Sequence, residues 1–211
     1  MAPTSRPAAP LGLLLALAAC AHAPPPPVSE PGASIQLVET APVETTLDHP
    51  DVPEAYQVWL EMFGGATRSL DVAEFYLSDR PPSRLTPIIE AAHAAAERGV
   101  RVRVVIDASF ALKYPDTLRH LASRKGVALH KLDVKKRMGG IQHAKYFVVD
   151  GREAYLGSQN FDWRSLEHVQ EMGVRLRSKQ LAGQLQDVFD TDMELAVVDA
   201  LTFPASMPRP G

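Results

Sequence analysis

Cysteine is almost absent from this 211-residue chain: Cys20 is the single one, so no internal disulfide can form. Aromatic residues are scarce at 7%, and no apolar run reaches the ~20 residues that a membrane-spanning helix needs. Neither sign of charge dominates, and a net charge of -3 provides no global pull toward nucleic acid. What remains, 45% hydrophobic and 22% charged residues, is ordinary for one globular domain large enough to bury a core.

The chemistry-bearing residues concentrate in one stretch, His143 to Asn160. Tyr146 to Val149 is β-prone, and Asp150-Gly151 is a strong signal for a two-residue hairpin turn. With those two residues as the turn, Val149 pairs with Arg152, His143 stands opposite Ser158, and Lys145 stands opposite Leu156. Side chains alternate with period two, so His143 and Lys145 share a face with Ser158 and Asn160. An imidazole, an ammonium, a hydroxyl and an amide on one face suit a phosphate group: a nucleophile or proton carrier, a point charge and two hydrogen-bond donors. Gly157 leaves room for close backbone approach. A basic run, Lys131, Lys135, Lys136 and Arg137, precedes the stretch and either raises the local potential or forms a solvated loop.

The pattern His-x-Lys-x4-Asp-x6-Gly-Ser-x-Asn resembles the signature of the phospholipase D superfamily, with every specified position present. Ser69-Leu70-Asp71-Val72-Ala73-Glu74-Phe75-Tyr76, Asn160-Phe161-Asp162-Trp163-Arg164-Ser165-Leu166 and Glu171-Met172-Gly173-Val174 look like the first half of the lysosomal phospholipase D-like 5′-exonucleases. This likeness covers roughly Ala55 to Ala196. The resemblance implies that one histidine of a pair attacks phosphorus to form a phosphohistidine while the other protonates the leaving oxygen, without metal or cofactor. It assigns His143 to that chemistry, Lys145 and Asn160 to the transition-state charge, and Ser158 to an assisting role. Family members orient the histidine through a carboxylate about 28 residues downstream, where Glu171 sits; Glu167 is the competing position. Asp150 belongs to the catalytic signature, although its place in the turn suits it better to holding the hairpin than to touching substrate. The exonuclease branch carries two motif copies and this sequence has one. Single-motif members complete the site by homodimerisation, which is the expectation here; a different single-motif chain, or a second half lying outside this sequence, is the alternative.

The N-terminus reads as an address label. Residues 1–19 form a signal peptide with a short apolar segment, Leu11 to Ala19, and Leu17-Ala18-Ala19-Cys20 looks like a bacterial lipobox whose cysteine is lipidated. Ala21 after the cysteine resembles outer-membrane sorting, which places the protein in the cell envelope facing the periplasm. An ordinary secretory signal with an incidental Cys20 is the alternative. Residues 20–53, including Pro24 to Pro27, read as an extended proline-rich tether, with Ser34 to Val38 too isolated to assign as a strand. Residues 54–200 are the catalytic domain and 201–211 a tail.

Within the domain, hydrophobic periodicity predicts helices at Glu54 to Phe63, Ser83 to Arg98, Pro115 to Arg124 and Lys179 to Val198. Strands are expected at Ser69 to Leu77, Val100 to Asp107, Val127 to Leu132 and Glu171 to Leu176, besides the hairpin. The class is α/β, a mixed sheet flanked by helices, one phospholipase D-like half-domain. His93, His120 and His130 lack paired ligand spacing, so no metal site is expected. His168 reads as a surface residue, and Phe75, Tyr76 and Trp163 as packing. The function expected is a membrane-anchored phosphodiesterase acting on phospholipids, with a nuclease for single-stranded nucleic acid as the alternative. The motif cannot separate the two, because both substrates present the same diester centre.

Overall fold

The computed structural model describes residues 30–196, the side chains of residues 137 and 138 excepted. The signal peptide, Cys20, the proline run and the C-terminal tail lie outside the described residues. In chain order the first elements are β1 (Ser34–Thr40), α1 (Ala55–Gly65), β2 (Ser69–Glu74), β3 (Leu77–Ser78), α2 (Thr86–Glu97), β4 (Arg101–Asp107) and α3 (Pro115–Ala122). There follow β5 (Val127–Leu132), α4 (Val134–Met138), β6 (Lys145–Val149), β7 (Glu153–Gly157), β8 (Phe161–Asp162), α5 (Trp163–Glu167), β9 (Glu171–Arg177) and α6 (Lys179–Leu195). Among the described residues no helix is long and apolar enough to cross a membrane.

Seven strands form one mixed sheet in the order β1-β9-β7-β6-β2-β4-β5. Every residue of β2 is buried; it pairs in parallel with β4 and antiparallel with β6, so the parallel and antiparallel halves meet on it. Period-two alternation sends Leu70, Val72, Val102, Val104, Phe147 and Val149 to one face, where they pack under α1 and α2. Ala73, Val105, Tyr146 and Val148 go to the other face, against Ala182 and Phe189 of α6. The larger core holds an aromatic nest in which the Trp59 ring lies 5.5 Å from Phe147 and 5.3 Å from Tyr155, both edge-on. The α/β class and its mixed sheet are as the sequence predicts, and the small β3-β8 ladder is an addition.

Three expectations need correction. The tether does not extend to residue 53: Ser34–Thr40 is an edge strand paired with β9 from Ser34↔Arg177 to Thr40↔Glu171. Its partner lies more than a hundred residues away, and Ile35 and Leu37 point to solvent, so no local pattern announced it. The hairpin register is also one residue off. Asp150 (φ 55°) and Gly151 (φ 62°) both adopt the left-handed conformation of a type I′ turn, and the Arg152 N–H donates to Val149 O at 3.0 Å. Yet Val149 pairs with Glu153 and Phe147 with Tyr155. The core decides this, because the expected register would set Phe147 beside Ala154 and turn Tyr155 out of the aromatic nest. Finally, the basic run is partly helical: α4 is capped by Asp133, which accepts from the Lys136 N–H at 2.9 Å, and is closed by Gly139 at φ 76°.

Candidate active site

The strand directions bring the carboxyl ends of β2 and β7 and the amino ends of β6 and β9 to one edge of the sheet. Glu74, Lys145, Gly157 and Glu171 are the residues at those ends. His143 stands just before β6, on a segment that is pinned from two sides. The buried Gln142 donates its N–H to Asp107 Oδ2 and its side-chain amide to Asp192 Oδ2 on α6, both at 2.8 Å. Asp107 also caps the loop after β4 through the Ser109 N–H, 2.8 Å away.

His143 itself is exposed. Its ring meets the edge of Phe75 at 4.7 Å, and Lys145 Nζ lies 3.2 Å from both ring nitrogens. Lys145 is half-buried: burial pushes its ammonium down, while Glu74 and Glu171 pull it back up. Glu74, cross-strand from Lys145, accepts from the Phe161 N–H at 3.2 Å, and burial pushes its carboxyl well above the usual range. Burial likewise lifts Glu171 to about 7, against the Ser165 hydrogen bond and the charge of Lys145. The ammonium therefore stands in the field of two carboxyls whose burial disfavours their ionised form.

Asn160 donates its N–H to Ser165 Oγ at 3.3 Å, and its Oδ1 is buried without a partner, as is Glu171 Oε2. Ser158 is exposed; its hydroxyl donates to Met172 O at 3.3 Å and accepts from the Met172 N–H at 3.2 Å. Beneath them Gly157 faces Gly173 in the β7-β9 ladder, so closely that a Cβ on Gly157 would lie 2.9 Å from Gly173 Cα. The buried Gln159 locks this corner by accepting from Tyr155 Oη at 2.8 Å.

His143, Lys145, Asn160 and Glu171 thus share one neighbourhood with Ser158 at its rim. Asp150 does not join them. It lies at the opposite end of β6, where its carboxylate accepts from the N–H groups of Thr67, Arg68 and Ser69, so its inclusion in the catalytic set is corrected to a turn-holding role. Burial pushes its carboxyl up, but the hydrogen bonds from Ser69, Thr67 and Arg68 together outweigh that and hold it well below the usual range. Glu167 is committed elsewhere, accepting from the Arg84 N–H. Glu171 reaches Ser165 and Lys145; among the described residues no hydrogen bond joins it to His143. His168 pairs with Glu44 and packs on Trp163, away from the cleft.

A cleft of about 470 Å³ opens beside these groups, walled by Phe75, Tyr76, Phe110 and Tyr114. The Phe75 and Phe110 rings are 4.1 Å apart and those of Tyr76 and Tyr114 5.3 Å. Lys113 and Arg164 line the same cleft. Phe75 is buried as expected of a packing residue and also borders the cleft, Tyr76 is half-buried on the cleft wall, and Trp163 is not part of that wall. Glu74, Ser165, Phe110 and Tyr114 are additions that the sequence did not single out. Glu74 had a legible signal, a carboxylate in a central strand whose other carboxylate, Asp71, is paired with Arg103.

Glu171 supports a prediction with a defined sign. Its folded-state value near 7 lies above the ordinary 4.5, so the unfolded chain ionises first as pH rises. Stability is therefore unaffected by this group below about pH 4.5, falls between 4.5 and 7, and levels off above. Glu171→Gln is expected to abolish that decline, raising stability at pH 8 by on the order of 1 kcal/mol after allowing for screening at a half-exposed group. Urea unfolding of both proteins at pH 4.5, 6 and 8 checks it; a constant difference at all three would contradict it.

The family described as cardiolipin synthase, PLD-like domain, matches residues 59–193. The chain is 32% identical over 166 residues to the virion nicking-joining enzyme of vaccinia virus (strain Western Reserve), covering 76% of this chain and 38% of that one. It is 33% identical over 202 residues to the 5′-3′ exonuclease PLD3 of Rattus norvegicus, covering 88% and 40% respectively. A third relative, phospholipase D Z of Dictyostelium discoideum, is 32% identical over 181 residues, covering 81% and 42%. The chain thus spans about two fifths of the length of these relatives. Among solved structures, Nuc of Salmonella typhimurium, a phospholipase D family member, superposes with a TM-score of 0.63 at 21% identity, covering 78% of this chain and 97% of that one.

Proposed function

Because the chain belongs to the phospholipase D superfamily, we propose that it hydrolyses the phosphodiester bonds of single-stranded nucleic acid through a phosphohistidine at His143. The observation that carries the choice of substrate is the aromatic wall. Tyr76, Phe110 and Tyr114 with Lys113 form the combination that single-stranded nucleic acids use, rings for base stacking beside a charge that meets the backbone, while Arg164 is held by Asp162 on the same wall. A phospholipid head group has no planar face to stack; an ammonium head group would meet these rings by cation–π contact, a place that Lys113 already takes over Phe110 and Tyr114.

In the proposed reaction an imidazole nitrogen of His143 attacks phosphorus, forming the N–P bond as the P–O bond to the leaving group breaks. Lys145 and the Asn160 amide bind the non-bridging oxygens, where negative charge must be held. A second histidine protonates the leaving oxygen and then takes a proton from water, which attacks phosphorus, breaks the N–P bond and restores His143. Among the described residues, no histidine lines the cleft; His143 borders it through its contact with Phe75. A two-fold pair of chains, each presenting His143 to one shared cleft, supplies the second histidine in this proposal. Lipidation at Cys20 would hold this activity at the envelope surface.

The test is a side-by-side assay on single-stranded DNA, single-stranded RNA, phosphatidylethanolamine and cardiolipin vesicles, and a small chromogenic phosphodiester. Cleavage of single strands is expected to dominate. Tyr114→Ala is expected to raise KM for an oligonucleotide by roughly 10- to 100-fold, the value of one lost stacking partner, with the small diester nearly unaffected. Faster hydrolysis of vesicle phospholipid than of either single strand would overturn the nucleic-acid reading in favour of the lipid one.

A further inference from the structure

Away from the cleft, three side chains converge that nothing in the proposed reaction uses. Glu90 and His93 sit three residues apart on one face of α2, and His120 approaches from α3. Glu90 Oε1 lies 2.9 Å from His120 Nε2, and Glu90 Oε2 lies 3.6 Å from His93 Nδ1. The two imidazole rings meet nearly at right angles, 5.1 Å between centroids. One ligand atom from each residue falls within 4.8 Å of the others.

The decisive detail is His93, which is only 2% exposed. Its Nε2 lies 3.0 Å from the carbonyl oxygen of Leu121. A carbonyl only accepts, so Nε2 carries the hydrogen, and in the neutral ring Nδ1 is left as a bare lone pair. That Nδ1 is buried without a hydrogen-bond partner and is directed toward Glu90. A lone pair facing a carboxylate at 3.6 Å is two acceptors opposed, an arrangement that either a proton on Nδ1 or a metal cation between them resolves. A histidine whose second nitrogen donates to a backbone carbonyl is also how metal-ligating histidines are held.

We propose that Glu90, His93 and His120 form a binding site for a borderline transition-metal ion, with Zn²⁺ the best match to two imidazoles and one carboxylate. Ligand atoms in a tetrahedral zinc site stand about 3.3 Å apart, as follows from bonds of about 2.0 Å, so small side-chain shifts suffice here. Glu90 and His120 are each about half exposed, which provides an entry path and room for water as the fourth ligand. The ion ties α2 to α3, and α3 begins immediately after Tyr114 of the aromatic wall. The site touches neither His143 nor Lys145, so its role is to brace that wall rather than to take part in phosphorus chemistry.

The experiment uses the full chain without an affinity tag, stripped with chelator and then titrated with Zn²⁺ or Co²⁺. The expected result is one ion bound per chain, a visible absorption band of tetrahedral Co²⁺, and a rise in Tm with Zn²⁺ that equimolar Mg²⁺ does not produce. His120→Ala and Glu90→Gln, both at exposed positions that the fold tolerates, should each weaken binding by at least about 100-fold and remove the Co²⁺ band. Hydrolysis of the small diester by both variants at 25 °C should stay within about twofold of the parent. Absence of stoichiometric binding, or binding that survives both substitutions, would overturn the proposal and leave the three residues as an ordinary hydrogen-bonded cluster.

Discussion

His143→Ala is expected to remove turnover by at least about 10⁴-fold, the scale seen when a covalent nucleophile is lost, while the protein stays folded. The imidazole is exposed and its neighbours are Phe75 and Lys145, so truncation opens no cavity and orphans no buried group. Unchanged circular dichroism and Tm alongside the lost activity separate chemistry from folding. Residual turnover within tenfold of the parent would exclude His143 as the attacking group. The same variant tests the shared cleft. Under conditions of subunit exchange, excess His143→Ala chain should bring activity toward the square of the parent fraction, whereas strict proportionality would mean that each chain builds its own site.

Asp150→Ala is expected to have the largest effect on stability. The carboxylate is 3% exposed and accepts from the Thr67 N–H at 3.1 Å, Thr67 Oγ at 2.7 Å, the Arg68 N–H at 2.6 Å and the Ser69 N–H at 3.0 Å. Removing it strips several donors of a common acceptor and frees the turn between β6 and β7 from the start of β2. The expected loss is roughly 3–5 kcal/mol, or about 10 °C in Tm for a chain of this size. Because its folded-state acidity is strengthened, this stabilisation is present above the ordinary value of 3.8 and is lost as pH falls below it. The difference between parent and variant should therefore shrink in acid. Activity per folded molecule should be retained; a catalytic defect at full stability would return Asp150 to the reaction.

The motif made the centre of the site legible because its residues lie within eighteen positions and chemistry restricts their types. What escaped depends on long-range contact. The hairpin register was settled by Tyr155 entering the nest around Trp59, a contact that the Asp-Gly turn alone cannot encode. Phe110 and Tyr114 belong to the loop after β4, where nothing local distinguishes a cleft wall from packing. The edge strand β1 needed its partner β9, and Glu167 was resolved only by the Arg84 N–H that it accepts from. His120 reaches Glu90 across thirty residues, a convergence no spacing rule reveals, although Glu90-x-x-His93 was readable as a helical pair.

The most direct test of the covalent mechanism follows the stereochemistry at phosphorus. A single-stranded oligonucleotide with one phosphorothioate centre of defined chirality is cleaved in ¹⁸O-water, and parallel reactions are quenched during turnover for peptide mass mapping. Two successive in-line displacements predict net retention at phosphorus and a nucleotide adduct on the peptide containing His143, absent from His143→Ala. Inversion, with no adduct on that peptide, would mean that water attacks directly and that His143 is not the nucleophile.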